Sequence, residues 1–541
     1  VAEHPRASTP SKGKLTATVL DVAQGVLGET LEEDAPLMEA GLDSLSAVDF
    51  RNQVAKQLPG LKLPNTLMFD YPSPGAIAKY AAAQLAPSAA PALPVIRAPV
   101  ADERGPLAAL STACHFPADG DDSQTFWAAL VSKTDGVTEI PYDRWDVDEY
   151  YDPAPNTVGR MYVRHAAFVK NAECFDAALF SISGAEAASM DPQQRLLLEI
   201  VQEGFHAAKS LLSIGGATSP LSTKDIGSFV GECNNDWGHF KNLETEKMNP
   251  FSGTGGSMSI SSNRLAYVFG FKGPSVTSDT ACSSSLIALD IAAANIGRSR
   301  CMAAVSAGVN MNLLPGPFVA CCQARMLSEG GRCKTFDASA DGYSRGEGAG
   351  TVLVRRLSDL GDMSVAAVSG TAANQDGRSS SLTAPNGPAQ QDVIQTAWAE
   401  AGLAPSAADF IETHGTGTGL GDPIEVGSLC NTMGQNRSAA LQVGAVKTNV
   451  SHLEGAAGIA GLLKALSAMV HSQVPPNLHL ASLNPHMDIE DVKFSFPTEA
   501  VVELSRETLR TFGLSSFGFG GTNTHVTGLA PAGEKQQEPT E

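Results

Sequence analysis

The sequence predicts a chain of two unlike parts, a small all-α helix bundle followed by a much larger α/β body. Apolar residues recur at helical spacing before residue 86, and the stretch "LAPSAAPALPVIRAPV" then has the Ala- and Pro-rich composition of a semi-rigid spacer. Beyond it, strand-like segments such as "GTVLVRRL" alternate with helical ones. The expected parts are a disordered segment at 1–11, the bundle at 12–86, the spacer at 87–104, the α/β body at 105–530 and a disordered tail at 531–541.

Composition excludes several classes of protein. A net charge of -21 over 541 residues argues against nucleic-acid binding, and the absence of a long apolar run argues against a membrane span. The odd count of nine cysteines, without Cys-x-x-Cys pairs, favours a reduced setting over a disulfide framework or a metal site. We therefore expect a cytoplasmic protein, with a plastid or another organelle left open. The missing initiator Met suggests a piece of a longer chain.

The bundle is predicted from apolar residues that share one helix face. A second helix is predicted to begin at Ser44, and a last one begins near Pro74. Short helices of this kind form a small bundle around one core. The expected core positions are Leu15, Val19, Leu20, Val22, Val26 and Leu27 in the first helix, and Leu45, Val48, Phe50 and Val54 in the second.

Ser44 has two interpretations, a helix cap or a site of covalent attachment. The stretches "PLMEAGLDSLSAVDFRNQVAKQL" and "LPNTLMFDYPSPGAIAKY" resemble the acyl carrier domain of modular polyketide synthases and type I fatty acid synthases, over residues 12–86. The resemblance implies that Ser44, between Asp43 and Leu45, carries 4′-phosphopantetheine added by a phosphopantetheinyl transferase. A helix N-terminus suits a phosphodiester. Leu42 and Leu45 would offer an apolar shoulder to partner enzymes.

The stretch "GPSVTSDTACSSSLIALDIAAANI" holds a candidate nucleophile in the large body. A β-branched segment at 276–280 leads into Cys282, and an apolar helix follows. At a helix N-terminus the dipole would favour the thiolate, which is the nucleophilic form. The alternative is a buried, inert cysteine.

Two glycine-rich loops contain candidate partners for this cysteine. "FIETHGTGTGLGDPIE" places His414 after an apolar strand, with the hydroxyls of Thr416 and Thr418 close behind. "VGAVKTNVSHLEGAAGIAGLLKAL" places Lys447 and His452 before a helix of small residues. Isolated histidines are usually structural, yet a cysteine far in sequence from two loop histidines suggests a shared site.

Together these three stretches strongly resemble the β-ketoacyl synthase (ketosynthase) domain of the thiolase-like superfamily. The segments "DRWDVDEYYDP", "MYVRHAAF", "MDPQQRLLLE", "KTFDASADGYSRGEGAG" and "SSFGFGGTNTHV" add to the resemblance, which covers about residues 105–530. It implies a five-layer αβαβα fold of two similar halves, an acyltransferase activity and a homodimer.

The resemblance also implies a mechanism. Cys282 would accept an acyl chain from a carrier thioester, and His414 and His452 would hold a malonyl thioester and promote loss of carbon dioxide. The resulting enolate would attack the acyl-Cys282 thioester to give a β-ketoacyl carrier two carbons longer. The backbone N–H groups of Cys282 and Phe519 would form the oxyanion hole.

Three further residues receive supporting roles from the same resemblance. Lys447 would pair with acidic groups, orient the histidine loop and bias local protonation, while Thr416 and Thr418 would contact the pantetheine arm. Acyl and malonyl groups would arrive on carrier domains, with the extender loaded by an acyltransferase of the larger synthase.

Two alternatives remain open, a fatty-acid or polyunsaturated-fatty-acid synthase and a module that passes chains on without elongating them. The presence of His414 favours elongation. Ser451, where the family usually has glycine, is expected to narrow the pocket or add a hydrogen bond. The segment "LAALSTACHFPADG" keeps only Cys114, Phe116 and Pro117 of the family pattern.

Overall fold

A computed structural model describes residues 12–28, 30–38, 40–42, 44–59, 61, 63–85, 105–213, 221–242, 245–360, 366–435, 437–505 and 509–531. The predicted segments at 1–11 and 87–104 lie outside the described residues, as does the predicted tail beyond residue 531. The predicted domain boundaries therefore stay predictions. Over the described part of the chain, we find no helix that combines the length and the apolar character needed to cross a bilayer.

The first body is a bundle of helices around one apolar core. Phe50 and Val54 are fully buried there, as predicted. Two predictions are wrong: Leu42 is 1% exposed and packs into the core instead of forming a surface shoulder, and Val48 is 52% exposed. Asp43 and the side chains of Ser44 and Leu45 lie outside the described residues. The helices are α1 (Lys12–Leu27), α2 (Ser44–Gln57), α3 (Leu67–Asp70) and α4 (Pro74–Leu85).

The large body contains fifteen strands among its described residues. They are β1 (Leu107–His115), β2 (Val137–Glu139), β3 (His165–Ala167), β4 (Ile226–Gly231), β5 (Ser275–Ser278), β6 (Ala303–Asn310), β7 (Gly348–Arg356), β8 (Ala367–Gln375), β9 (Phe410–Glu412), β10 (Leu441–Gly444), β11 (Gln473–Val474), β12 (Phe494–Ser495), β13 (Val502–Glu503), β14 (Arg510–Phe517) and β15 (Thr522–Ala530).

Helices cover these strands. They are α5 (Ser123–Val131), α6 (Gly184–Ala187), α7 (Pro192–Ser213), α8 (Asp236–Asn242), α9 (Ser252–Gly255), α10 (Ser259–Phe269), α11 (Ser284–Gly297), α12 (Gly316–Gln323), α13 (Gly387–Glu400), α14 (Gly421–Met433), α15 (Lys447–Val450) and α16 (Ala457–His471).

The main sheet repeats one topology twice. Its eleven strands run in the order β12-β10-β9-β14-β15-β8-β1-β7-β6-β4-β5. In the first half, β4 pairs in parallel with β5 and β6, and β7 and β1 then continue antiparallel. In the second half, β9 pairs in parallel with β10 and β14, and β15 and β8 continue antiparallel. The two similar halves predicted from the resemblance are therefore present.

The halves join at a short seam, and helices fill the space between them. β1 and β8 pair through only two residue pairs. The helices α11 and α16 contact each other and strands of both halves, so they form the central layer. The helices α7 and α10 cover the outer face of the first half, and α13 covers that of the second. This is the predicted αβαβα arrangement, with the connections after β5, β9 and β10 leading toward the same region.

Candidate active site

Cys282 lies between β5 and α11. Residues Ala281–Ser283 form one 3-10 turn, and α11 begins at Ser284. Ala281 has a φ of 55°, a left-handed conformation that few non-glycine residues adopt. From the other half of the sheet, Ser516 Oγ donates a hydrogen bond to the Cys282 carbonyl oxygen at 2.7 Å. The cysteine therefore occupies the strand-to-helix turn that the sequence predicts, and this turn is held from both halves.

Two histidines approach Cys282 from loops of the second half. His414 follows β9, and His452 lies between α15 and α16. Nε2 of His452 is 3.0 Å from Sγ of Cys282. The Cys282 sulfur and one ring nitrogen of each histidine all lie within 4.8 Å of one another. The structure thus brings together three residues that are far apart in sequence.

Backbone hydrogen bonds fix the tautomer of both imidazoles. The N–H of Glu454 donates to Nδ1 of His452 at 3.0 Å, and the N–H of Phe517 donates to Nδ1 of His414 at 3.3 Å. A nitrogen that accepts a hydrogen bond carries no proton, so the proton of each neutral ring is on Nε2. His452 therefore directs an N–H donor at the Cys282 sulfur.

The same hydrogen bonds argue against a metal ion at this cysteine and histidine cluster. A histidine that ligates a metal through Nε2 carries its proton on Nδ1 and donates it to a neighbouring acceptor. Here both Nδ1 atoms face backbone N–H groups, which are donors. The three residues therefore do not fit a metal centre.

Burial keeps the histidines neutral. Desolvation lowers the pKa of His414 and of His452 well below the usual value, and the nearby Lys447 ammonium lowers both further. Lys447 is buried on α15, and desolvation lowers its own pKa, with Glu412 and Glu425 among the groups that oppose this shift. The charge of Lys447 thus favours neutral imidazoles.

Burial also acts on Cys282, and it shifts the pKa of the thiol in the direction opposite to the sequence expectation. Desolvation raises the pKa of the Cys282 thiol to about 12, and the Glu454 carboxylate adds to the shift. Lys447 and the backbone N–H groups of Phe519 and Cys282 lower the pKa but do not compensate. The expected stabilisation of the thiolate by the helix dipole is therefore outweighed by burial, and the resting side chain is a thiol.

A cavity of about 560 Å³ connects these groups. Its lining includes Cys282, His414 and His452. Thr416, Thr418 and Phe519, which the sequence analysis also places at the site, line the same cavity. The hydroxyls of Thr416 and Thr418 lie 3.2 Å apart in its wall. The backbone N–H groups of Phe519 and Cys282 lower the pKa of the Cys282 thiol, which places both donors beside its sulfur. The site can therefore offer donors to two separate oxygens.

Two carboxylates that the sequence analysis did not single out support the His414 loop. Glu425 accepts hydrogen bonds from the N–H groups of His414 at 2.7 Å and Gly415 at 2.8 Å. Asp422 accepts from the N–H of Gly417 at 3.1 Å. The only local signal is the acidic pair in "GDPIE", and acidic residues are common in the first turns of helices for other reasons. Burial raises the pKa of Glu425 to about 7.

Ser451 does not act as expected. It is buried outside the cavity lining, and its Oγ has no hydrogen-bond partner among the described residues. Its φ of 65° and ψ of -171° fall in a region that glycine alone adopts readily. The serine therefore neither narrows the cavity nor adds a hydrogen bond, and instead introduces backbone strain next to His452.

The helix bundle touches the large body at two places, the segment before β12 and the N-terminal end of α13. Asn65 Nδ2 donates to Asp488 Oδ1 at 3.2 Å, and α3 packs against α13. The Asp70 carboxyl lies so close to Gly387 that a Cβ added there would be 2.5 Å from Oδ1. Gln390, about one turn further along α13, lines the cavity. The bundle thus contacts the helix that forms one cavity wall.

Family models match most of the chain. Residues 17–81 match the phosphopantetheine attachment site. Residues 106–360 match the β-ketoacyl synthase N-terminal domain, and residues 365–481 match the β-ketoacyl synthase C-terminal domain.

Curated relatives match both bodies. Polyketide synthase GfsB from Streptomyces halstedii is 41% identical over 536 residues, which is 96% of this chain and 9% of the relative. Erythronolide synthase EryA2 from Saccharopolyspora erythraea is 39% identical over 508 residues, which is 93% of this chain and 14% of the relative. The chain thus spans a small part of the length of either protein.

Solved structures show the same fold. The oxazolomycin ketosynthase domain OzmH KS7 of Streptomyces albus JA3453 is 33% identical with a TM-score of 0.73, over 81% of this chain and 76% of that one. The ketosynthase from module 6 of the bacillaene synthase of Bacillus subtilis 168 is 31% identical with a TM-score of 0.69, over 79% and 72%. This chain therefore belongs to the β-ketoacyl synthase family of modular polyketide synthases, with a phosphopantetheine attachment domain ahead of the ketosynthase.

Proposed function

We propose that the chain is a module-junction piece of a polyketide synthase. In this proposal the carrier domain holds an acyl chain at Ser44, and the ketosynthase extends such a chain by decarboxylative Claisen condensation. The observation that carries the proposal is the pair of neutral imidazoles, His414 and His452, with protonated Nε2 atoms beside the Cys282 thiol. This arrangement provides a nucleophile and two hydrogen-bond donors in one cavity.

Ser44 fits the attachment of 4′-phosphopantetheine. It is the first residue of α2, where unpaired backbone N–H groups favour a bound phosphate. When bound, the group supplies a thiol on a long arm that holds the acyl chain as a thioester. Thr416 and Thr418 would hydrogen-bond such an arm from the cavity wall.

The first step is acyl transfer to Cys282. Its Sγ attacks the thioester carbonyl carbon, the new carbon–sulfur bond forms as the old one breaks, and the cysteine proton leaves with the departing thiol. The N–H groups of Cys282 and Phe519 donate to the carbonyl oxygen while it carries negative charge. Because the resting cysteine is a thiol, negative charge develops at this position only after a substrate thioester has bound.

The second step is condensation. His414 and His452 donate their Nε2–H groups to the thioester oxygen that becomes negative as the extender loses carbon dioxide. Each such donor contributes roughly 3–4 kcal/mol to barrier lowering in comparable sites. The carbon that keeps the electron pair attacks the acyl carbon on Cys282, the bond to sulfur breaks, and Sγ then takes up a proton.

Separating the two steps tests this function against mere chain handover. Cys282 is first acylated from a diffusible acyl thioester, and a malonyl thioester is then added while mass spectrometry follows the extended product. We expect extension with release of carbon dioxide. Acylation without any carbon dioxide release would support handover and overturn the proposal.

We further infer that Ser44 serves Cys282 of its own chain. The contact of α3 with α13 supports this, because α13 also forms a wall of the cavity. A Gly387→Leu substitution would push against Asp70 and should slow transfer from the chain's own carrier domain. Transfer from a diffusible thioester should be unchanged, and equal slowing of both would contradict the inference.

The edge strand β5 of the main sheet offers a surface for a second copy of the chain. The strand β5 pairs only with β4 in the described sheet, and Val276 on it is 37% exposed. An edge strand of this kind can pair with its own copy across a twofold axis, which supports a homodimer. Phosphopantetheinyl transferase, an acyltransferase that loads the extender, and further synthase domains are the remaining proposed partners, and a cytoplasmic location stays a prediction.

A further inference from the structure

The backbone around His452 is bent at two positions that disfavour side chains. Ser451 has a φ of 65° and Glu454 has a φ of 45°. Non-glycine residues adopt such angles only where the surroundings hold them there. Two of them within four residues indicate that a specific contact holds this loop.

Arg345 provides that contact. Its Nε is 2.6 Å from Oε1 of Glu454, and its Nη2 is 2.9 Å from Oε2. The guanidinium therefore donates two parallel hydrogen bonds to the carboxylate. The guanidinium is buried and lies 4.6 Å from the centre of the Phe318 ring. A planar fork in a buried setting fixes both the position and the orientation of its partner.

The backbone next to Arg345 holds His452 as well. The N–H of His452 donates to the Ser344 carbonyl at 2.8 Å, and the N–H of Gly346 donates to the His452 carbonyl at 2.8 Å. The segment that carries Arg345 therefore makes two kinds of contact with this loop. Its backbone hydrogen-bonds to His452, and the Arg345 side chain binds Glu454.

We propose that Arg345 and Glu454 are positioning residues for His452. The ion pair holds Glu454 in the left-handed conformation that aims its N–H at Nδ1 of His452. That hydrogen bond keeps the imidazole proton on Nε2, 3.0 Å from the Cys282 sulfur. The catalytic part of this inference depends on the proposed condensation, whereas the tautomer itself does not.

Two substitutions separate the geometry of the Arg345–Glu454 pair from its charge. Arg345→Lys keeps the positive charge near His452 but loses the second hydrogen bond of the fork, and Glu454→Gln keeps the side-chain shape but loses the ionic pairing. If only charge mattered, Arg345→Lys would behave like the parent protein. If the fork matters, Arg345→Lys should free the Glu454 backbone and misalign its N–H.

The chain offers a matched control. Arg144 also forms a buried fork, with its Nε and Nη2 each 2.9 Å from an oxygen of Glu347. This pair does not contact either site histidine in the described structure. Glu347 directly follows Gly346, which bonds the His452 carbonyl, so Arg144→Lys measures what losing a buried fork beside the same segment does without breaking the link to Glu454.

The experiment compares two rates and one spectrum in the full chain. Acylation of Cys282 from a diffusible thioester is followed by intact-mass spectrometry, and carbon dioxide release from a malonyl thioester is followed across pH. For Arg345→Lys we expect carbon dioxide release to fall at least about tenfold at unchanged KM, with acylation nearly unchanged. Arg144→Lys should leave the ratio of the two rates as it is.

Nitrogen-15 NMR of labelled histidine, assigned by its loss in His452→Gln, reports the tautomer directly. We expect the protein to show the Nε2–H form at His452 and the Arg345→Lys and Glu454→Gln variants to show a mixture. An unchanged tautomer in both variants, or an equal loss of both rates, would overturn the inference. Absence of carbon dioxide release from the unaltered protein would refute the proposed function while the spectrum still tests the positioning.

Discussion

The loops after β5 and β10 occupy equivalent places in the two halves of the sheet, yet they present groups of opposite character. Cys282 follows the first strand and His452 the second, and each comes directly after a non-glycine residue with positive φ, Ala281 at 55° and Ser451 at 65°. A sharp turn at a non-glycine residue with positive φ thus precedes the functional side chain in both halves, although the turn at Ser451 follows the short helix α15. The residue placed after the turn decides whether it offers a thiol or an imidazole.

Burial shifts the pKa values of Cys282 and His452 in opposite directions and leaves both side chains neutral. It raises the pKa of the Cys282 thiol and lowers the pKa of the His452 imidazole, because in each case it disfavours the charged form. The resting site is therefore neutral at both loops. The site therefore relies on directed N–H donors and not on a preformed pair of thiolate and imidazolium.

Removing the proposed nucleophile gives the largest expected effect. Cys282→Ala deletes the sulfur that His452 Nε2 faces, so both acylation and formation of extended product should fall to the background rate. Mass spectrometry of the protein and of the product measures both. Cys174→Ala, at an exposed free cysteine, is the control and should change neither.

The histidine loops are expected to matter for one step only. His414→Ala removes a donor from the second oxyanion site, so carbon dioxide release should fall by about 100- to 1,000-fold. Acylation of Cys282 should change little, because its proposed donors are the backbone N–H groups of Cys282 and Phe519. If both steps slowed equally, the assignment of the histidines to the second step and of the backbone N–H groups to the first would be wrong.

The third prediction concerns pH. The histidine pKa values lie below the usual value, so the neutral donors persist as pH falls past it. Lys447→Met removes a positive charge that lowers both pKa values, and the pKa values therefore rise. Loss of carbon dioxide release on acidification should then begin at a higher pH than in the parent protein. Lys170→Met, at an exposed lysine paired with Asp119, should leave the profile in place.

Relieving strain in the two turns gives the smallest expected effect. Ser451→Gly should raise the free energy of unfolding by about 1 kcal/mol, since the strain removed is larger than the added chain entropy. Ala281→Gly should also raise the free energy of unfolding, because Ala281 has a φ of 55°. Urea unfolding measures both. Ser132→Gly, at a φ of -79°, should be destabilising, and a gain there would show that the effect is not conformational.

Sequence reasoning predicts the parts of this molecule that short motifs encode. The two bodies, the repeated halves and the meeting of Cys282 with His414 and His452 all follow from local patterns that resemble a family. Thr416 and Thr418 reach the cavity for the same reason. Each of these features depends on residues close together in the chain or on the fold that they imply.

What the sequence misses depends on contacts between distant segments. Arg345 and Glu454 are 109 positions apart, so no spacing rule connects them. The helix dipole, which is visible in the sequence, predicts a lowered pKa for Cys282, whereas the burial that raises this pKa is not visible there. Val48 is exposed because a helix pattern leaves open which neighbours cover each face, and Leu42, which precedes α2, is buried because it packs into the bundle core.

The most direct test of a neutral resting site is the titration of Cys282. Ultraviolet absorbance of the thiolate, taken as the difference between the parent protein and Cys282→Ala, follows its ionisation without any substrate. We predict no thiolate at neutral or mildly alkaline pH, in keeping with a pKa of about 12. A thiolate already present at neutral pH, together with a protonated His452, would contradict the account.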